Sequence, residues 1–148
     1  MTQTLFNYPA RLEPDEDGRL VVHFPDLPEA LTDGADLAEA LAEAADCLST
    51  ALAARIGNEE EIPSPSRLRR GQYLVAPEAA MALKAALYSA MRARNLTTAD
   101  LARRLGIDDR QAARLVDPRV AGKLASLEAA LSALGYYIAI ELHEKPAA

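Results

Sequence analysis

Arg110, Gln111 and Arg114 are the residues of this chain whose types and spacing suit a defined chemistry. An arginine fork matches the O6/N7 edge of guanine, and each such two-bonded pair gives about 1–3 kcal/mol of discrimination against a wrong base. Two arginines four residues apart lie above one another on a helix, so both can reach one groove of DNA. Gln111 suits a phosphate or a base edge, and Asp109 either accepts from cytosine or caps the helix. Thr98, Arg119 and Lys123 carry donors fit for phosphate contacts. For each of these residues the competing account is a solvated helix surface.

Other chemistries find little support. Cys47 is the only cysteine, which excludes an internal disulfide or a cysteine metal cluster, and it falls on a helical pattern as a small apolar residue. His23 and His143 stand apart from any acid or cysteine at ligand spacing. Metal-assisted hydrolysis needs several carboxylates converging on one or two ions. Here the acids gather in the 13–17 turn, on the outer side of a helix and in the run Glu59-Glu60-Glu61. No enzymatic activity, metal or cofactor is therefore expected.

The arginines must be held by a short helix set across a turn from another. Thr97 caps the first, with Asp100 three residues on forming an acidic version of the capping box, and Leu101, Ala102 and Leu105 give it an apolar face. Gly106 stops it, because glycine takes the left-handed conformation without steric cost. Ile107 fills the corner. Asp108 or Asp109 caps the second helix, which buries Ala112 and Leu115. This is the pattern of a helix-turn-helix whose second helix enters a major groove. Upstream, Leu83, Leu87 and Met91 predict a helix from Pro77 to about Asn95; downstream, Leu124, Leu127, Leu131 and Leu134 predict another, ended by Gly135. Four helices in this order resemble the Cro and repressor type of DNA-binding domain.

Charge divides unevenly. The chain carries a net −6, of which residues 1–76 contribute −8 and residues 77–148 contribute +2. Positive charge concentrates between Arg92 and Lys123, with eight basic against four acidic residues. That suits local phosphate contact, whereas the acidic first part would be repelled by nucleic acid and suits either a basic protein partner or simple solubility. No run is long or apolar enough to span a membrane, and the opening residues lack a basic region followed by an apolar one. A soluble, cytoplasmic protein is expected.

The first part alternates extended and turn signals. Leu5 to Leu12 reads as a strand, interrupted or edged at Pro9; residues 13–18 form a turn; Leu20 to Phe24 returns as a hairpin partner. Two prolines exclude a helix across Phe24 to Ala30, Leu31-Thr32 suits a short strand, and Asp33-Gly34 turns the chain. Asp36 and Glu39 then cap a long helix with one stripe of Leu37, Leu41, Ala45, Leu48, Leu52 and Ile56. A proline-rich loop over 59–66 leads to a short extended Tyr73-Leu74-Val75. The boundary falls near Ala76, giving a small α+β unit over 1–76, a sheet covered by one long helix, and an all-α unit over 77–148. Tyr136 to Leu142 reads as a final strand that must pair elsewhere, and pairing with a second chain would use Tyr137, Ile138, Ile140 and Leu142 in a homodimer or a dimer of dimers.

Phe24-Pro25-Asp26-Leu27-Pro28, Thr32-Asp33-Gly34 and Leu37-Ala38-Glu39-Ala40-Leu41, taken in this order, resemble the signature of HicB-type antitoxins. Residues 105–135 look like the Cro-type tail carried by one branch of that family. Glu29-Ala30 departs from its usual small pair, such as Gly-Cys. The resemblance implies a partial RNase H-like fold for 1–76. It also implies an antitoxin that sequesters a small basic toxin, HicA, which cuts mRNA, and that represses its own operon by binding operator DNA. The face offered to such a toxin would be the hairpin and the following segment, with Asp15, Asp17 and Asp26 as acidic contacts and Phe24 and Leu27 as either contacts or core. Two alternatives remain at this point: a helix-turn-helix repressor whose first unit binds a ligand or another regulator, and a protein-binding adaptor without DNA binding.

Overall fold

The structure is a computed structural model and describes residues 5–146. Its first half is a four-stranded antiparallel sheet in the order β3-β2-β1-β4, formed by β1 (Tyr8–Pro14), β2 (Leu20–His23), β3 (Leu31–Gly34) and β4 (Tyr73–Val75). One long helix, α1 (Leu37–Gly57), packs against the sheet. The hairpin between β1 and β2 closes because Asp15 Oδ1 accepts from the amides of Asp17 and Arg19, both at 2.9 Å, while Gly18 takes φ +79°. Pro9 lies in a strand flanked on both sides, yet its missing N–H costs no ladder bond to β2. Residues Tyr8 to Ala10 pair with β4 and residues Arg11 to Pro14 pair with β2, so Pro9 has a neighbour on one side only.

Asp36 caps α1, its Oδ1 accepting from the Glu39 amide at 2.9 Å, and Glu39 reaches back to accept from the Ala35 amide at 2.7 Å. The buried face is rotated from the expected leucine stripe. Ala40, Ala44, Leu48, Ser49, Ala51, Leu52 and Ile56 face the core, whereas Leu37, Leu41 and Ala45 are only partly covered. Alanines let the helix axis approach the sheet closely. At Gly34 the approach is so tight that a Cβ would lie 2.3 Å from the Ala40 nitrogen. Gly34 is thus the end of β3 and the contact point for α1, not simply a turn residue. Tyr8, Phe24, Leu27 and Val22 complete this core.

Helices α2 (Ala79–Ala93), α3 (Thr98–Leu105), α4 (Asp109–Val116) and α5 (Leu124–Ala133) form the second half, around Leu87, Met91, Leu101, Leu127, Leu131 and Leu134. Leu124 stands exposed at the start of α5 and does not belong to that face. Helix α2 serves both clusters. Ala85 belongs to the first, with Met81, Ala82 and Tyr88 packed on it, while Leu87, Ala90 and Met91 belong to the second.

The strand expected over Tyr136 to Leu142 is absent: residues 136–146 have no regular structure. A strand exists only through ladder bonds to a neighbour, and among the described residues no sheet edge receives the segment. Tyr136, beneath the Arg94 guanidinium at 5.2 Å, and Ile138 pack on the second core. Tyr137, Ile140 and Leu142 are 82%, 82% and 94% exposed.

Candidate functional site

Two reciprocal capping boxes fix α3 and α4. Thr97 Oγ1 accepts from the Asp100 amide at 3.1 Å, and Asp100 Oδ2 accepts from the Thr97 amide at 2.8 Å. Asp108, not Asp109, caps α4. Its Oδ1 accepts from the Gln111 amide at 2.7 Å and Gln111 Oε1 accepts from the Asp108 amide at 3.1 Å. Gly106 takes φ +66° at the end of α3, and the Ile107 amide bonds back to Ala102 O at 3.1 Å. Ala102 on α3 and Ala112 on α4 are small and buried.

On this frame Arg110 and Arg114 are both exposed, one turn apart. Gln111 is exposed but its amide oxygen is committed to the cap, leaving the amide NH2 for an outside acceptor. Asp109 is exposed in the first turn of α4, and Lys123 is exposed at the start of α5. Thr98 is half-buried. Arg119 holds Asp117 through two bonds of 3.1 Å, and this pairing keeps the Asp117 carboxyl below the usual carboxylate range. A phosphate at Arg119 would have to share that guanidinium. Arg103 is likewise paired with Asp100.

Sequence reasoning missed Lys84. It is 2% exposed on α2, and its Nζ donates to Arg114 O at 2.9 Å and Leu115 O at 2.6 Å. Burial pushes its pKa down, against the pull of Asp117. The available signal was a lone lysine within Met81-Ala82-Leu83-Lys84-Ala85, three residues before Leu87 on an otherwise apolar face.

The proposed acidic face of the first half is less open than its composition suggests. Asp15 is occupied by the hairpin turn. Asp26 accepts from the Ser66 amide at 2.8 Å and from the Ser66 hydroxyl, tying the proline-rich loop to the 24–28 segment. Tyr8 reinforces the same closure by donating to Pro63 O at 2.6 Å. Phe24 and Leu27 are fully buried in the core, so their side chains present no surface to a partner. Of the two roles open to them, contact or core, their burial fits the core. Asp17 remains exposed, with Glu13 and Glu16 beside it. Glu29, the residue that departs from the family signature, reaches Arg55 on α1 at 2.6 and 3.0 Å, and this hydrogen bonding lowers its pKa.

Among the described residues no three His, Cys, Asp or Glu side chains come together in a metal-holding group, and no helix is long and apolar enough to cross a membrane.

Comparison with known proteins gives a consistent result. Residues 7–86 match the family described as HicB-like antitoxin of bacterial toxin–antitoxin systems. The chain is 36% identical to Antitoxin HicB 1 of Photorhabdus laumondii subsp. laumondii over 135 residues, covering 91% of this chain and 86% of that protein. It is also 36% identical to Antitoxin HicB of Escherichia coli K12 over 128 residues, 86% of this chain and 93% of the relative. Antitoxin HicB of Pseudomonas fluorescens is 30% identical over 139 residues, covering 93% and 94%. With the match extending from the sheet through α5, the chain belongs to the HicB-like family of bacterial antitoxins.

Proposed function

We propose that this protein neutralises a small basic, HicA-like mRNA-cleaving toxin through residues 1–76 and represses its own operon through residues 77–148. The first unit then corresponds to a partial RNase H-like fold and the second to a Cro-type helix-turn-helix. The observation that carries the DNA half is α4: a short helix capped at its start, packed against α3 with Ala112 buried, and with Arg110 and Arg114 exposed. The toxin half rests on family membership and on the −8 of residues 1–76, which complements a basic RNA-binding face. Operator sites read by helix-turn-helix proteins come as two half-sites, which calls for two copies. The proposed dimer contacts are the exposed Tyr137, Ile140 and Leu142 together with Ile138, which is partly packed on the second core. The protein would act in the cytoplasm, without a cofactor and without catalysis.

The test uses the full chain and the small basic protein encoded beside its gene. Co-purification, together with loss of the basic protein's RNA cleavage on adding this chain, supports neutralisation; free cleavage in the presence of excess antitoxin overturns it. For the DNA half, Arg110→Ala combined with Arg114→Ala should abolish preference for the upstream promoter fragment while the fold persists, since each arginine–guanine pair supplies about 1–3 kcal/mol. An unchanged footprint on that fragment would refute the assignment of α4.

A further inference from the structure

We propose that Lys84 is a positioning residue for DNA recognition: its buried ammonium grips the last turn of α4 and sets the register at which Arg110 and Arg114 face the groove. The inference rests on the DNA-binding reading above and adds to it a residue that touches no nucleic acid.

Helix α4 has only eight residues, with Ala112 its one fully buried side chain. Its remaining apolar contacts are the partly covered Leu115 and Val116, both at its last turn. Its last carbonyls have no partner within the helix. Ala113 O is taken by the Asp117 amide at 3.1 Å, and the next two, Arg114 O and Leu115 O, are both taken by Lys84 Nζ. A cation at a helix C-terminus is also favoured by the helix dipole, and bonds from a charged donor are stronger than neutral ones. A lysine is seldom buried unless paired, and a leucine at this point of α2 would serve packing equally well without gripping the carbonyls. The chain instead encloses the lysine stem, and a Cβ built at Gly122 would meet Lys84 Cε at 3.4 Å, ordinary van der Waals contact.

The anchor acts on one of the two reading residues directly, because the carbonyl it holds belongs to Arg114 itself. It also has a fixed base. Farther along α2, Tyr88 Oη donates to Glu60 O at 2.6 Å and Arg92 donates to Glu59 O at 3.0 Å. At its start the Glu78 amide donates to Ser49 Oγ at 2.9 Å. The helix that grips α4 is therefore itself bonded to α1 and the loop after it.

Two full-length variants test this. Lys84→Met keeps length and apolar bulk but removes the donors; Lys84→Arg keeps a cation with donors. The readouts are amide hydrogen exchange along α3, α4 and α5, and affinity for the promoter fragment. In Lys84→Met, exchange at Leu115 to Asp117 should rise by about tenfold or more, with a loss of similar size in DNA affinity. Protection in α3 and α5 should stay near that of the parent protein, and Lys84→Arg should restore part of both losses. Exchange and affinity both within twofold of the parent in Lys84→Met would overturn the proposal. So would a rise shared equally by α3, α4 and α5 in both variants, which marks a general packing role. If the parent protein itself does not shift the promoter fragment, the DNA-binding reading fails, and the proposal of Lys84 as a DNA-positioning residue falls with it. The exchange data still report separately whether α4 is anchored.

Discussion

Replacing Gly34 with alanine should damage the first half of the protein out of proportion to the one methyl group added. The new Cβ would lie 2.3 Å from the nitrogen and 2.5 Å from the Cα of Ala40, and 2.8 Å from the carbonyl carbon of Glu39, all closer than real Cβ atoms come. All three are backbone atoms, so no side chain can swing aside. Gly34 itself is held by its pairing with Leu20, and the start of α1 by the Asp36 cap. Strand end and helix start must therefore separate by about 1 Å. Overpacking of this kind costs about 1–3 kcal/mol, and the rigidity on both sides puts this case near the upper end. For a chain of this size each kcal/mol lowers the melting temperature by about 2–4 °C, so the expected fall is about 6–12 °C. Gly57→Ala is the matched control. A Cβ at Gly57, the last residue of α1, meets nothing within 4 Å, and the substitution should be neutral or stabilising by up to about 0.5–1 kcal/mol. Thermal unfolding followed by circular dichroism reads both. A Gly34→Ala protein melting within about 2 °C of the parent would refute the close-approach argument.

Two further outcomes follow from local geometry. Asp108→Ala removes the cap of α4 and the anchor of Gln111, and should cost about 1 kcal/mol in urea unfolding, with protection lost chiefly in α4; an unchanged urea midpoint counts against the capping box. Glu29 has its pKa lowered by Arg55, so the pair contributes stability above the ordinary glutamate range and loses it as pH falls through that range. Because the pair is partly exposed, the difference between the parent protein and Glu29→Gln should be under about 1 kcal/mol at pH 7. It should vanish in acid, and equal differences at neutral and low pH would exclude the assigned cause.

What the sequence discloses is local. Thr97 with Asp100, Gly106, and Asp36 with Glu39 act within one or two turns, and their residue types alone specify the caps and the stop between α3 and α4. The hairpin turn at Asp15 to Gly18 is legible for the same reason. The buried face of α1 is not, because periodicity weighs leucines by their size, whereas the approach to Gly34 selects alanines. Lys84 stands out in sequence only as a lone lysine on an apolar face; its role is not legible there, since its partners are carbonyls thirty and thirty-one positions away. Composition likewise identifies an acidic first half but not which carboxylates are spent inside it. Asp26 and Asp15 hold loops, Asp15 through one oxygen while itself exposed, and only the structure separates these engaged carboxylates from Asp17. The segment after Gly135 has strand-like alternation but lacks a neighbour, and pairing is a property no single stretch of sequence can carry.

The double duty of α2 bears on how the protein can be divided. Truncation at Ala76 would strip Met81, Ala82, Ala85 and Tyr88 from the first core and leave a hydrophobic wound on α1, so the fragment would be expected to aggregate or be degraded before it could be assayed. Grafting a different helical unit at that point would fail for the same reason. A join beyond α2, in the Arg94 to Leu96 link, where Asn95 takes φ +52° and the chain passes from the shared helix into α3, would leave the first core whole. A chimera joined there would carry α2 with its sheet and would need new partners for Leu87, Ala90 and Met91 and new acceptors for the Lys84 ammonium.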